Sequence, residues 1–505
     1  MNVKISSCRI KVVDEDKQLT LSPLCLFISK GISMKTFLLI ITTLLYSLPS
    51  LANKALAPTF INVFNEGPRL EVIDYVSNNM SENVIERFGI DAHVGDFLNS
   101  QNTYGKLKLI KVLPPEGNNE IVEVISSKNK LKYNLIINKE ENPPHKFNYF
   151  TLQDPESQEI PKQPISKQEL KKALSSFINN LAAKDAFSGS VLVAKGRDII
   201  YQDAVGYANR TWNEKNKIDT RFALGSINKM FTAIAALQLI EQGKLKFEDK
   251  LIQYVDKSWL PKEHADLITI RQLMTHTSGL GNFFNDEFNQ SNKEIYRDLA
   301  AYKPLISKSE LLFKPGTRNR YSNPGMLMLG LVIEKVSGES YYEYVQKNIY
   351  NKGNMPNSGS FELDSVTNNL ASGYLKRSYS DQWVDSRYTR AIKGSPAGGG
   401  FSTLEDLHNF SLALTEFKLL SKAFTEDAYS EKTQYNSAFW YGYGFSVSGE
   451  PNNRKVGHGG AYLGVDARLD IHLDSGFFVV ILANQSDVVA PVRRKIDELI
   501  NRYNL

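Results

Sequence analysis

The sequence predicts an α+β protein of two domains, the larger one an antiparallel sheet flanked by helices with a helical insert. Three observations predict it. Met230 to Ile240 is apolar except for Thr232 and Gln238, which reads as a helix buried on most sides. Strand-like runs stand near both ends of the region after residue 165, as expected of one sheet assembled from its two ends with helices between. Four period-two runs within residues 106–152 follow a helix-like stretch and mark a separate, smaller α+β unit. A chain of 505 residues with 42% apolar and 11% aromatic content has the length of two globular domains.

Residues 1–52 read as an N-terminal extension plus a secretory signal. Met34 to Ala52 has a basic start at Lys35, an apolar core, a break at Pro49 and small residues at Ser50 and Ala52. That core is too short for a comfortable membrane span, so no stable span is expected after signal cleavage. A signal placed behind 33 mixed residues implies that translation starts at Met34. Both cysteines, Cys8 and Cys25, precede that point, so the exported protein is expected to hold neither a disulfide nor a thiol nucleophile. Net charge is only +5, with no dense basic run after the signal, which argues against a nucleic-acid partner.

Residues 53–153 are expected to form the small accessory domain. Pro68 to Arg87 reads as helix, with Pro68 tolerated in its first turn. Lys106–Val112, Glu120–Ser126, Leu131–Asn138 and Lys146–Leu152 alternate as a four-strand meander, separated by Pro-, Gly- and Asn-containing turns. No cluster of His, Asp or Ser there supports chemistry. Residues 154–164, with three prolines, read as the linker.

The second domain, residues 165–505, opens on the capping box Ser166-Lys-Gln-Glu169, heading a helix to about Ala183. Gly189–Lys195 and Asp198–Ala208 are the first strand pair, followed by the helix behind Ser226, with Gly243 placed to cap its end. Ile268–Leu280 reads as a short helix entering a glycine turn, and Ser307 to Glu310 as another capping box. Met326 to Val336 is a second buried helix ending at Ser337-Gly338, and Thr403 to Asp406 caps one more after Pro396-Ala-Gly-Gly-Gly400. Strands around Tyr443–Val447, Ala467–His472 and Gly476–Ala483, then a helix from Val489 to Tyr503, complete the chain.

Three places offer chemistry. Ser226 and Lys229 are three apart at the mouth of the buried helix, so one turn brings hydroxyl and ammonium to one face. A lysine there is costly without a task or a partner, and the serine beside it is a candidate nucleophile. The spacing alone is weak, because Ser127 and Lys130 repeat it in a polar turn. Tyr321-Ser-Asn323 sits at a loop edge before the second buried helix; a tyrosine beside a lysine is a candidate base with a lowered pKa, and Asn323 a ligand for a carbonyl or for the lysine. Tyr207-Ala-Asn209 repeats that pattern too. His458-Gly459-Gly460 lies on or beside a strand, where residues without side chains mark close approach of backbone or ligand. An exposed edge there offers a backbone N–H, that of Ala461, to pair with the N–H of Ser226 as an oxyanion hole.

In this order, Ser226-Ile-Asn-Lys229, Tyr321-Ser-Asn323 and His458-Gly-Gly460 resemble the three active-site motifs of the serine β-lactamase and penicillin-binding protein superfamily. Thr275-His-Thr-Ser-Gly-Leu280 and the Gly-Gly-Gly-Phe-Ser-Thr run ending at Leu407 look like its class C β-lactamase-like branch of esterases and D-amino-acid peptidases. The resemblance spans about Pro164 to Leu505 and implies the β-lactamase/D,D-peptidase fold for that region. It implies that Ser226 is acylated, that Lys229 takes its proton or holds Tyr321 as phenolate, and that Tyr321 serves acylation and deacylation. It further implies that Asn323 binds the acyl amide or positions Lys229, that Ser226 and Ala461 supply the oxyanion N–H groups, and that His458, Gly459 and Gly460 line the substrate. No metal or other cofactor is implied. Lysine or tyrosine as base stays open. Where most penicillin-recognising members have lysine, this chain has His458, largely neutral at pH 7. The expected function is therefore an exported, periplasmic or secreted hydrolase of small esters or D-amino-acid peptides, with a small-molecule or peptide substrate and a cell-wall association. A true β-lactamase or D-Ala-D-Ala carboxypeptidase, and a binding protein that has lost turnover, are the alternatives. Thr277 and Phe439 to Tyr443 are assigned to the core or rim of the site rather than to the acyl pocket.

Overall fold

The structure is a computed structural model that describes residues 55–503 except 89, 154–162, 377–381, 436–438 and 450–452. The signal-like segment and residues 154–162 of the linker lie outside the described residues. Leu56 onward packs as one compact unit.

The N-terminal part holds four helices, α1 (Leu56–Glu66), α2 (Arg69–Asn79), α3 (Glu82–Phe88) and α4 (Ile90–Tyr104). The single helix expected over 68–87 is broken at Met80, where the backbone turns extended and bridges Phe147. Four strands follow, β1 (Leu107–Val112), β2 (Asn119–Ser126), β3 (Lys132–Lys139) and β4 (Phe147–Gln153), paired antiparallel in chain order. Phe60, Phe64, Phe97 and Phe147 are buried between helices and sheet, in a core of their own.

The larger part begins with α5 (Lys167–Ala183), whose Ser166–Glu169 capping box is formed as the sequence implies. β5 (Gly189–Lys195) and β6 (Asp198–Val205) join β7 (Thr433–Gln434), β8 (Phe439–Tyr441), β9 (Ser446–Ser448), β10 (Lys455–Tyr462), β11 (Val465–His472) and β12 (Phe477–Ala483) in one eight-stranded antiparallel sheet, ordered β7-β8-β9-β10-β11-β12-β5-β6. The strands from the two ends of this region meet where β12 pairs β5, from Phe477 with Lys195 to Ala483 with Gly189.

β12 shows why the sheet is central. It is buried throughout: Phe477, Val479 and Ile481 meet one apolar cluster, while Phe478, Val480 and Leu482 meet another. The first cluster comes from α5 and the C-terminal helix α9 (Val489–Tyr503), through Leu170, Leu174, Ile178, Val492, Ile496 and Leu499. The second comes from the helices between the strand groups: α6 (Asn228–Glu241), α7 (Asn323–Ser337) and α8 (Leu404–Thr415).

α6 has twelve buried residues, from Asn228 through Leu239, which is the all-round burial its composition demands. Gly243 (φ +71°) follows it in the left-handed region, as does Gly338 (φ +75°) at the end of α7. The capping box expected at Ser307 does not form. Ser307 instead ends the short helix Lys303–Ile306, and no helix follows it, since the chain runs through Leu311, Leu312 and Phe313 into Pro315 and Gly316 without a helical period.

Candidate active site

Ser226 lies in a 3-10 turn, Gly225–Ile227, that feeds directly into α6, so its side chain stands at the helix mouth while Lys229 is drawn into the core. Lys229 is fully buried. Its Nζ lies 3.1 Å from Ser226 Oγ and 2.7 Å from Asn323 Oδ1, and it contacts the carbonyl of Ala397. An uncharged amine has two N–H groups, which Asn323 and Ala397 accept, and one lone pair, which faces the Ser226 hydroxyl; none of these partners is an anion. With no carboxylate to compensate, burial holds the Lys229 pKa well below its usual value, toward the free amine.

Tyr321 stands over this group, its ring 4.5 Å from Nζ, with its hydroxyl hydrogen-bonded to Ser226. The lowered pKa expected for it is not found. Burial pushes the phenol up, and a neutral Lys229 provides no charge to oppose that. Amine plus phenol and ammonium plus phenolate carry the same net charge and have similar reference pKa values; a dry site favours the pair with no charges to desolvate.

The Asn323 side chain is held from both ends, its Oδ1 by Lys229 and its Nδ2 donating to Asn282 Oδ1 at 3.0 Å. Ser322, beside it, caps α7 by accepting from the Gly325 N–H at 3.0 Å. Thus the Tyr321–Asn323 triplet is fixed by the start of a buried helix, whereas Tyr207–Asn209 is a strand elsewhere and Ser127–Lys130 occupies the turn between β2 and β3.

The third segment comes from β10. β9 pairs with it only up to Gly457, so residues 458–462 have no strand on that side. The Gly225–Ile227 turn fills the gap: a Cβ placed on Gly460 would sit 1.8 Å from the Leu224 carbonyl and 2.9 Å from the Ser226 nitrogen. Only glycine permits that approach. Gly225 itself has φ +52° and faces the Ala461 nitrogen as closely. β10 and β11 are joined by the two residues Leu463-Gly464, with Tyr462 opposite Val465 and Ala461 opposite Asp466. In such a hairpin the pair flanking the turn exchanges hydrogen bonds and the next pair does not, so the Ala461 N–H points away from β11, toward the turn that carries Ser226.

His458 is buried, its Nε2 3.0 Å from the Tyr441 hydroxyl and its Nδ1 against the Gly459 carbonyl. Burial pushes its pKa down to about 3, so the imidazole is neutral throughout the physiological range. Tyr441 is therefore a support for His458, and neither it nor Thr277 lines the cleft.

Two contributors carried no assigned role in the sequence. His276, within the Thr275–Leu280 run, is completely buried between the rings of Tyr321 (4.4 Å) and Tyr441 (4.7 Å), and its Nδ1 accepts from the Ser322 N–H at 3.3 Å. It fixes the Tyr321 triplet from behind. Ala397 acts through its carbonyl, and that carbonyl is placed by α6: Asn228 Nδ2 donates to Ser395 O at 2.6 Å and Thr232 Oγ1 to Pro396 O at 2.8 Å. The Gly399 N–H donates to Gly225 O at 3.0 Å, so the glycine run is sewn to the turn beneath Ser226.

A cleft opens beside Ser226, bounded also by Asn323, Ala397 and Ala461. Among the described residues no cluster of His, Cys, Asp or Glu has the arrangement of a metal site. No helix among them is long and apolar enough to cross a membrane.

The Beta-lactamase family model matches residues 174–501. "Penicillin-binding protein 4*" of Bacillus subtilis (strain 168) is 30% identical over 335 residues, covering 64% of this chain and 73% of that protein. "Teichoic acid D-alanine hydrolase" of Staphylococcus aureus (strain MRSA252) is 26% identical over 280 residues, covering 55% of this chain and 66% of its own length. Among solved structures, a penicillin binding protein from Bacillus halodurans superimposes with a TM-score of 0.58 at 30% identity, covering 65% of this chain and 99% of that one. The match takes in the eight-stranded sheet, the buried α6 and the three segments that converge on Ser226, and the chain belongs to the beta-lactamase family of serine hydrolases.

Proposed function

We propose that this protein is an exported serine hydrolase that works through an acyl-enzyme on Ser226 and acts on small esters or D-amino-acid peptides and amides. The observation that carries the reading is the fully buried Lys229 amine at 3.1 Å from Ser226 Oγ, within direct reach of the proton it must take and pushed by burial toward its proton-accepting form. As Oγ attacks the substrate carbonyl, Lys229 takes the hydroxyl proton and becomes an ammonium. The N–H groups of Ser226 and Ala461 receive the oxyanion. Collapse of the tetrahedral species expels the leaving group, which takes back the proton from Lys229 directly or by way of the Tyr321 hydroxyl. Water then attacks the ester on Ser226 through the same steps. Asn323 keeps Lys229 in place and presents its amide to the acyl group.

The substrate class rests on two supports. His458 is neutral where a carboxylate anchor needs a cation, which suits an ester or amide without a terminal carboxylate at that strand. A relative named as a teichoic acid D-alanine hydrolase shows that such chemistry occurs among proteins similar to this one. Residues 1–52 as a removed signal, and residues 53–153 as an accessory module reached by the 154–164 linker, complete the proposal. Cell-wall association follows the same relatives.

The test is hydrolysis of a short-chain aryl ester, a D-alanine anilide and a cephalosporin by the parent and by Ser226→Ala. Ester or anilide turnover that disappears in the variant supports the reading. Cephalosporin turnover at comparable efficiency makes the protein a β-lactamase, and activity retained by the variant removes Ser226 from the mechanism.

A further inference from the structure

The cleft beside Ser226 has apolar walls, with Phe284, Phe288, Phe361 and Phe401 among its lining, and one cation with no ion pair among the described residues. That cation is Arg390. The residue is partly exposed, while its Nε and Nη2 are sealed in protein and have no hydrogen-bond partner. Asp385, the acid nearest in sequence, favours its charge from a distance but is itself engaged by Arg387, through Nε at 2.9 Å and the backbone N–H at 2.9 Å. The other cation of the lining, Lys393, is paired with Glu362 at 3.2 Å. A guanidinium never gives up its charge in a protein, and burial lowers the pKa of this one only to about 10. The partly exposed remainder of the guanidinium therefore presents to the cleft a charge that no direct contact neutralises.

Arg390 is also held in position. The Tyr462 hydroxyl donates to the Thr389 carbonyl at 2.9 Å, tying the Arg390 segment to the residue after Ala461, and the guanidinium lies 5.9 Å from the Phe401 ring centre. Both ties connect it to the elements that frame Ser226.

We propose that Arg390 is a specificity residue: the substrate group that enters this cleft is an apolar body ending in a carboxylate, received by the exposed part of the Arg390 guanidinium while the scissile carbonyl lies at Ser226. A carboxylate matches the single charge of the guanidinium, whereas a phosphate dianion brings a second charge into an aromatic pocket. The inference deepens the hydrolase reading and rests on it for the statement that the ligand is a substrate.

Binding is measured by calorimetry on Ser226→Ala, so that no turnover is required. The probes are 3-phenylpropionate, its uncharged amide and phenylphosphonate. The carboxylate is expected to bind at least tenfold more tightly than the amide and more tightly than the phosphonate, and Arg390→Gln in the same background to remove that preference. In the parent enzyme, 3-phenylpropionate but not the amide is expected to inhibit hydrolysis of a neutral aryl ester, a measurement independent of how well the Arg390 variant folds. Equal affinities for acid and amide, no measurable binding of either, or a preference that survives in a folded Arg390→Gln variant overturns the proposal. Carboxylate selectivity in a protein that hydrolyses nothing leaves the Arg390 site standing and removes the hydrolase reading instead.

Discussion

Replacing Lys229 by methionine separates the chemistry of this site from its architecture. Methionine nearly matches the length of lysine and carries no donor, so the variant deletes three contacts: to Ser226 at 3.1 Å, to Asn323 at 2.7 Å and to the Ala397 carbonyl. Two buried acceptors, Asn323 Oδ1 and Ala397 O, lose this donor at ~1–3 kcal/mol each. Against that stands the relief of no longer desolvating an amine in an apolar core, also ~1–3 kcal/mol. Taking the midpoints, about 4 minus about 2, the net loss of stability is about 2 kcal/mol, and a protein of this size melts a few degrees below the parent. The chemical consequence is larger. Without its base, acylation is expected to slow by roughly 10²–10⁴-fold, or about 2.7–5.4 kcal/mol in the barrier. Stopped-flow release of nitrophenol from an aryl ester reads the acylation step, with thermal melting as the control. Retention of the parental acylation rate within threefold, in a folded variant, refutes the assignment of Lys229 as base.

Four further outcomes follow from the same geometry. Acylation is expected to be full at alkaline pH and to fall on the acid side as Lys229 gains a proton; because its pKa is depressed, that limb lies well below the usual lysine range, and a limb near pH 10 in a pH–rate profile contradicts it. His458 is neutral in the fold down to about pH 3, while the unfolded chain protonates it below about 6.5, so the unfolded state binds the extra proton and stability is lost as pH falls across that window. At pH 5 the loss from this residue is about 2 kcal/mol relative to pH 7.5, read from urea midpoints, and His458→Asn is expected to flatten the dependence by that amount. Gly460→Ala drives a methyl onto the Leu224 carbonyl and into the Ser226 nitrogen, so kcat is expected to drop by roughly 10²–10³-fold through loss of the oxyanion donors; unchanged kcat argues that the oxyanion lies elsewhere. Asp470 is buried between Arg468 and Arg493, whose charges hold its carboxyl well below the usual range, so Asp470→Ala leaves two guanidinium groups uncompensated beneath β11. A loss of about 3–5 kcal/mol by denaturant titration is expected.

What could be read from the sequence was what depends on period and local hydrogen bonding. All-round apolarity announced α6, the caps at Ser166 and Thr403 announced α5 and α8, and alternation placed the meander within a residue or so of β1 to β4. Ser307 shows the limit: a capping pattern has force only when a helical run follows, and here a Pro-Gly loop does. Ser226, Lys229, Tyr321 and Asn323 were legible because each carries its functional group on a side chain, and Ala461 because the glycines before it mark a close backbone approach. Ala397 was not, since its contribution is a carbonyl whose position depends on Asn228 and Thr232 in another element. Tyr321 was misjudged electrostatically, because proximity to lysine was taken to mean proximity to charge. The complete burial of Lys229 disfavours that charge, and burial is a tertiary property.

The most direct measurement is the intact mass of the protein after brief mixing with a slowly deacylating aryl ester, followed by mapping of the modified peptide. The account predicts one acyl group per chain, carried on Ser226, absent in Ser226→Ala and strongly reduced in Lys229→Met. An unmodified protein that still turns over the ester, or an adduct mapped to any other residue, contradicts it.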